Sequence, residues 1–450
     1  MTDQLNAREA GAAVDPEAAA SAAHTMTVVA DDATRRGATH HVSETEAFAA
    51  SATAAADAAD PGTQDATLRG PWDRWVPEGP ARTWVNWLSV AVSIYLLISA
   101  VNLIGGGFKA ATGDQAEQLF AFASNPIVAL MVGVLATAAT QSSSTTSSIT
   151  VGLAAGGLPL EIAIPIIMGA NIGTTLTNTL VSIGMIGNKE DFRRAFAAAT
   201  VHDFFNLIAV AILLPLELMT GYLETLSGLL ANAFSSVTGL DTGRADLIGT
   251  ATEPIENAMA AATSGVPAPW GGILMIAVGI ALILFSISFV GKVLKVLMVG
   301  RARRVLHTAI GRGPVSGIAS GTVVTALVQS SSTATSLMIP LAGSGTFTLR
   351  QVYPFTIGAN IGTTVTAFLA ALGLSGANAS FGLQVALVHL LFNLSATVII
   401  FGLPFLRPVP VRAAQWLANR SAENKSFAAM WVLGVFVALP GLLIAGTLLF

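Results

Sequence analysis

Along the chain, long apolar runs alternate with short polar breaks. Residues 84–104, 201–218, 272–290, 384–406 and 428–450 are predominantly apolar, each over about the 20 helical residues that cross a hydrocarbon core of roughly 30 Å. The runs predict an all-α polytopic membrane protein whose last run is a C-terminal span. Two stretches break the pattern. Residues 141–148 are eight consecutive polar residues between apolar flanks, and 329–335 are polar except for Ala334. Lipid-facing backbone must be helical, so an irregular polar segment at that depth survives only inside protein or beside a water-filled cavity. Gly156-Gly157 with Pro159, and Gly343 with Gly345, supply turns shortly after each stretch. The expected elements are two re-entrant helical hairpins with the serines near their tips.

The two polar stretches belong to an internal duplication. Gln141-Ser142-Ser143-Ser144-Thr145 is repeated as Gln329-Ser330-Ser331-Ser332-Thr333. Gly169-Ala170-Asn171-Ile172-Gly173-Thr174-Thr175 returns as Gly358-Ala359-Asn360-Ile361-Gly362-Thr363-Thr364, with Asn171 30 residues after Gln141 and Asn360 31 after Gln329. Val201-His202 with Phe205-Asn206-Leu207 returns as Val388-His389 with Phe392-Asn393-Leu394. Three motifs in one order at nearly constant spacing define two repeats.

Charge orients them. Basic residues cluster at Lys189, Arg193 and Arg194, at Lys292, Lys295, Arg301, Arg303, Arg304 and Arg312, and at Arg407, Arg412, Arg420 and Lys425. With these on the cytoplasmic side, the 217–270 connection is extracytoplasmic, where Glu217, Glu224, Asp241, Asp246, Glu253 and Glu256 face one arginine. The halves then have opposite topology, a common plan in secondary transporters. The expected organisation is a cytoplasmic tail 1–80, repeat 1 over 81–216, the connection 217–270, and an inverted repeat 2 over 271–406 with a basic cytoplasmic segment at 292–314. A basic cytoplasmic loop and the last span occupy 407–450. The location this implies is a plasma membrane, or the inner membrane of a bacterium.

Composition narrows the chemistry. Hydrophobic residues make up 53% of the chain and charged residues only 11%, against about a quarter in a soluble protein. Residues 1–80 hold 13 of the 26 acidic groups and 5 of the 22 basic ones. The net charge of −4 therefore describes the tail more than any substrate. The first 70 residues, rich in Ala, Asp, Glu and Thr, have too few large apolar groups to offset their ordering entropy and lack the pattern of a secretory signal. A regulatory amphipathic helix is the alternative reading there. With no cysteine, disulfides, thiol catalysis and cysteine-ligated metals are excluded. The six histidines form no transition-metal spacing, and nothing points to a cofactor or to nucleic acid.

Candidate chemistry lies in the duplicated motifs. Ser and Thr hydroxyls and Gln and Asn amides both donate and accept, and a helix N-terminus at a hairpin tip is an anion site. Oxygens of Gln141, Gln329, Asn171, Asn360, Thr174 and Thr363 are of the kind that replaces water around sodium. Neither serine cluster contains Lys or Arg, so a buried oxyanion needs co-bound cations to offset its charge. Such mutual dependence is what symport requires. Small-residue packing is the competing reading of the serines and of Gly169-x-x-x-Gly173; duplication of the whole set argues against packing alone. Asp203, matched by Leu390 in the second half, needs a cation or nearby water. His202 and His389 read as hydrogen-bonded helix contacts before proton carriers.

These motifs, with Asp191-Phe192-Arg193-Arg194-Ala195-Phe196 and Val201-His202-Asp203-Phe204-Phe205-Asn206, resemble the type II sodium–phosphate cotransporters from about Trp84 onward. The resemblance implies uptake of inorganic phosphate driven by the sodium gradient. It places phosphate among Ser142, Ser143, Ser144, Ser330, Ser331 and Ser332. It assigns one sodium to Gln329, Ser330, Thr363 and Thr366 with the Ala359 carbonyl, and puts Arg194 on the cytoplasmic approach. Electrogenic members carry an aspartate at the position of Asp203, which implies a further sodium near Asp203 and Asn206. A homodimer is open. Animal members have a longer, disulfide-linked external loop and a cysteine-rich tail, features without a counterpart in this sequence. Other oxyanions such as sulfate or arsenate, a passive channel, and an intramembrane hydrolase using a motif serine are the alternatives. The hydrolase lacks a fixed third orienting group.

Overall fold

The computed structural model describes residues 70–112, 125–238, 246–309, 312–374 and 379–449. The expected tail lies outside them up to residue 69, as do residues 239–245 of the 217–270 connection. The described residues are almost entirely helical. Among the described residues seven helices are long and apolar enough to cross a membrane. Five coincide with the apolar runs: α1 (Pro80–Thr112), α6 (Lys189–Thr220), the first part of α9 (Trp270–Ala309), α14 (Ala379–Ala396, which continues in wide π turns to Phe401) and the segment Ser426–Thr447. The other two, Leu160–Ile183 and Leu349–Leu372, contain the Asn-Ile-Gly-Thr-Thr motifs. Their polar motif residues kept them below notice as apolar runs.

Two shorter apolar helices precede the serine motifs. These are α2 (Pro126–Thr140) and α10 (Pro314–Val328), each of 15 residues. At 1.5 Å per residue they reach roughly 22 Å, short of a full crossing. Proline opens both, and Asn125 caps α2 by accepting from Ile127 N at 2.9 Å. A two-residue turn joins α2 to α3 (Ser143–Gly156), and the same turn joins α10 to α11 (Ser331–Ser336) and α12 (Met338–Gly343). The expected closing turns follow, with Gly157 at φ 118° and Gly345 at φ 83°; only glycine takes this backbone region without strain.

α2 packs along α4 (Leu160–Gly173), and α10 packs along α13 (Leu349–Leu372) in the equivalent way. The motif glycines make both crossings close. A Cβ on Gly173 would stand 2.7 Å from the Val134 carbonyl and from Thr137 Cβ; one on Gly362 would stand 2.6 Å from the Thr322 carbonyl and 2.7 Å from Thr325 Cβ. The small-residue packing read from Gly169-x-x-x-Gly173 is therefore real, and it holds the motif asparagines in register with the hairpins. Short α5 (Leu176–Ile183) follows α4 and lies against both α6 and α11.

α6 starts sharply because Asn188 Oδ1 accepts from the N–H groups of Glu190 and Asp191 at 3.0 and 3.3 Å, with both carboxylates in the positive first turn. At its other end Gly221 turns the chain at φ 59°, and Glu217 accepts from Leu223 N and Glu224 N. The described residues of the connection beyond are mostly helical. They form α7 (Tyr222–Thr238), packed on α14, and α8 (Asp246–Thr263), packed on α1. Residues expected as a basic loop after 407 instead form α15 (Pro408–Glu423), because an amphipathic 16-residue stretch buries Leu417 and Ala418 against Phe192 and Phe196 at the start of α6 and Ala414 in the main core. The chain ends in α16 (Ser426–Leu433) and α17 (Leu439–Leu449). Only 17% of that last apolar window is buried, against 72% for α6, so the final span is the most peripheral.

Candidate functional site

The two Gln-Ser-Ser-Ser segments fold alike. Gln141 and Gln329 are the two non-glycine residues with positive φ among the described residues, both at 54°. Each ends one helix in the left-handed conformation, and the following serine turns extended (φ −151° at Ser142, −154° at Ser330) and caps the next. Ser142 Oγ accepts from Thr145 N, and Ser330 Oγ from Thr333 N, both at 3.2 Å. The first serine of each motif is thus an N-cap, and the next two occupy the first turn of the helix it starts. Ser143, Ser144 and Ser331 are each 4% exposed; Ser332 is half-buried. In the first hairpin Thr137 Oγ1 donates across the turn to Thr146 at 2.8 Å. Ala334 stands where Thr146 would be matched, and the corresponding Thr325 hydroxyl has no partner.

Both glutamine side chains tie their turn to the neighbouring motif helix. Gln329 Oε1 accepts from Thr366 Oγ1 at 2.8 Å and Gln141 Oε1 from Thr177 Oγ1 at 2.7 Å, while each amide N–H donates back to its own helix at 2.7 Å (Ala326 and Ala138 carbonyls). Thr363 Oγ1 donates to the Ala359 carbonyl and Thr174 Oγ1 to the Ala170 carbonyl, both at 2.9 Å. Gln329 with Thr366, and Gln141 with Thr177, thus join each turn to the span that follows it, on which Ala359 and Thr363, or Ala170 and Thr174, lie within two helical turns of that threonine. Thr177 was legible as the counterpart of Thr366 once the repeats were aligned, yet repeat spacing alone did not draw attention to it.

A buried chain of amides runs between the halves. Thr335 Oγ1, in the second hairpin, lies 2.8 Å from Asn178 Oδ1, and Asn178 Nδ2 faces His202 Nδ1 at 3.4 Å. His202 Nε2 is 2.6 Å from Asn360 Oδ1, Asn360 Nδ2 donates to Asn206 Oδ1 at 2.8 Å, and Asn206 Nδ2 donates to the Asn171 carbonyl at 2.6 Å. One tautomer, with the proton on His202 Nε2, satisfies both histidine links; the single Thr335 hydroxyl proton is shared between Asn178 Oδ1 and the Ser331 carbonyl at 2.7 Å. Asn171 uses its own side-chain N–H on the Ile167 carbonyl at 2.8 Å. His202 is the hydrogen-bonded contact expected; His389, equally buried, has neither ring nitrogen paired, and Asn393 Oδ1 is also without a partner.

Asp203 stands apart from that chain. It is 1% exposed, its Oδ2 accepts from Trp431 Nε1 at 2.7 Å, and its Oδ1 has no partner. Asn206, three residues on, has both amide ends engaged elsewhere. Among the described residues no basic side chain pairs with Asp203 or bonds to either serine motif. Arg193 and Arg194 pair with Glu190 and Asp191, and Arg194 Nε donates to the Gly343 carbonyl at 2.9 Å. They line a cavity of about 180 Å³ with Thr348, Gln415 and Asn419. A larger cleft of about 490 Å³ lies beside Asn102 and Glu256. Neither includes a motif serine.

The sequence model of the Na+/Pi-cotransporter family matches residues 96–231 and 282–406, and both matched segments contain one copy of every duplicated motif. The chain belongs to the Na+/Pi-cotransporter family. Among curated relatives, the sodium-dependent phosphate transport protein 2A of Oryctolagus cuniculus is 35% identical over 423 residues, covering 78% of this chain and 65% of its own length. The 2A protein of Rattus norvegicus is 34% identical over 421 residues, and the 2B protein of Homo sapiens 32% over 447, covering 66% and 64% of their own lengths. The chain thus spans just under two thirds of these relatives. No solved structure matches it. Both family segments stop short of Trp431, and no periodicity or motif in the sequence marked that residue or Asn178 as a partner of the motif residues.

Proposed function

We propose that this chain takes up inorganic phosphate by sodium-coupled, electrogenic symport with alternating access. The observation that carries the proposal is the pair of Gln-Ser-Ser-Ser turns with one conformation, each fastened by its glutamine to a threonine two residues beyond an Asn-Ile-Gly-Thr-Thr motif. Membership of the family and the printed names of its curated relatives support the choice of sodium and phosphate. In this reading the two halves have inverted topology in a plasma membrane, the short helices before each turn are limbs of re-entrant hairpins, and the N-terminus is cytoplasmic.

Phosphate binds to the hydroxyls and first-turn N–H groups of Ser142, Ser143, Ser144, Ser330, Ser331 and Ser332. With no fixed cation at those serines, sodium offsets the anion's charge in a low-dielectric interior. One sodium takes oxygens of Gln329, Ser330, Thr363, Thr366 and Ala359. Gln141, Asn171, Thr174 and Asn360 offer oxygens in the first half and along the amide chain, and Asp203 with Asn206 marks a further sodium region. Sodium at these points raises phosphate affinity, and by reciprocity phosphate raises sodium affinity.

The test is uptake of labelled phosphate into proteoliposomes of the purified chain. Uptake that rises with an inward sodium gradient, saturates, and generates an inside-positive potential supports the reading. Uptake indifferent to the sodium gradient refutes it, and sulfate competing as well as phosphate would reassign the anion.

A further inference from the structure

We propose that Trp431, on the peripheral last span, is a positioning residue for a cation held at Asp203. The inference rests on the cation reading of Asp203 given above. The indole N–H donates to Asp203 Oδ2 at 2.7 Å, within the short range of charge-assisted bonds. Its ring also stacks obliquely on Phe204, with centroids 4.8 Å apart. The stack seats the indole on α6, and its N–H holds Oδ2 of the neighbouring carboxylate. With Oδ2 engaged, Oδ1 is the oxygen left without a partner, and it is buried.

The hydroxyls of Thr175 and Thr179 lie beside that carboxylate and can donate to it. Each is also within reach of a backbone carbonyl, of Ile172 at 3.0 Å and of Thr175 at 3.2 Å. A hydroxyl that turns its proton to that carbonyl offers an oxygen lone pair beside Asp203. A buried carboxylate oxygen next to two such hydroxyls suits a small hard cation, for which oxygen ligands are the rule. Ala428, on α16 with Trp431, is buried against Phe192 and Phe196 of α6, which seats α16 so that Trp431 reaches Asp203.

Without the N–H, the carboxylate is free to rotate and no longer holds Oδ1 toward the threonines. Trp431→Phe keeps a ring against Phe204 and removes only the donor. In the proteoliposome uptake assay its half-saturating sodium concentration should rise on the order of tenfold, the loss of one hydrogen bond to a charged group. The phosphate KM at saturating sodium and the maximal rate should stay near those of the unmodified chain, a split that a general packing defect would not produce. Unchanged sodium activation in Trp431→Phe, while Asp203→Asn shifts it, overturns the positioning role and leaves the cation at Asp203 standing. Unchanged activation in Asp203→Asn removes both.

A second measurement does not depend on the variant's transport. In protein labelled with 5-fluorotryptophan, the resonance of Trp431, assigned by its disappearance in Trp431→Phe, should move when sodium chloride replaces choline chloride without phosphate. The movement should be absent in Asp203→Asn. A Trp431 resonance indifferent to sodium in the unmodified chain overturns the proposal.

Discussion

Replacing Gln329 separates what its backbone costs from what its side chain does. Gln329 sits at φ 54°, where a residue with a Cβ is strained by roughly 1–2 kcal/mol. Its side chain makes two hydrogen bonds, to Thr366 Oγ1 at 2.8 Å and to the Ala326 carbonyl at 2.7 Å, each contributing about 0.5–1.5 kcal/mol. Gln329→Ala loses both bonds and keeps the strain, so it should destabilise by roughly 1–3 kcal/mol. Gln329→Gly loses the same bonds and relieves the strain, offset by about 0.5–1 kcal/mol for glycine's greater freedom when unfolded. Glycine should therefore be more stable than alanine by about 0.5–1 kcal/mol, a melting difference of about 1 °C for a chain of this length. Transport should not follow stability. Both variants lack Oε1, so both should need roughly tenfold more sodium for half-activation. Thermal melts in nanodiscs and sodium titrations of phosphate uptake give the two readouts. A glycine variant no more stable than alanine would refute the strain argument. Normal sodium activation in either variant would refute the assignment of Gln329 as a ligand.

Two further outcomes follow from the packing and the amide chain. Gly362→Ala places a methyl 2.6 Å from the Thr322 carbonyl; the overpacking should cost about 1–3 kcal/mol, visible as a lower melting temperature, and displace Thr363 enough to weaken sodium activation. His202→Ala leaves the Asn178 and Asn360 amides without their shared partner in a buried site, so it should destabilise by about 1–3 kcal/mol. In the double variant with Asn360→Ala the penalties should be non-additive by roughly 0.5 kcal/mol or more; strict additivity in the melts would mean the chain does not act as a unit.

The alternation of apolar runs and polar breaks determined the all-α membrane class, because apolar length is a local property. Duplication likewise exposed both serine motifs, both asparagine motifs and the His202–His389 pair, since a repeat is visible wherever the chain goes in space. Even the turns after each hairpin were legible, because glycine at Gly157 and Gly345 answers a backbone requirement rather than a contact. The spans that carry Asn171 and Asn360 were harder to see, as their functional polarity dilutes the apolar signal. What only the tertiary structure decided is who meets whom. Gln141 finds Thr177, at the start of α5, and Gln329 finds Thr366 because glycine-lined crossings bring α2 to α4, which leads into α5, and α10 to α13. His202 bridges the halves while its twin His389 does not, since the two halves share a sequence pattern without sharing neighbours. Asp203 meets Trp431 across 228 residues of chain. Hydropathy registers such a tryptophan as one more apolar residue, and only packing shows which way its N–H points.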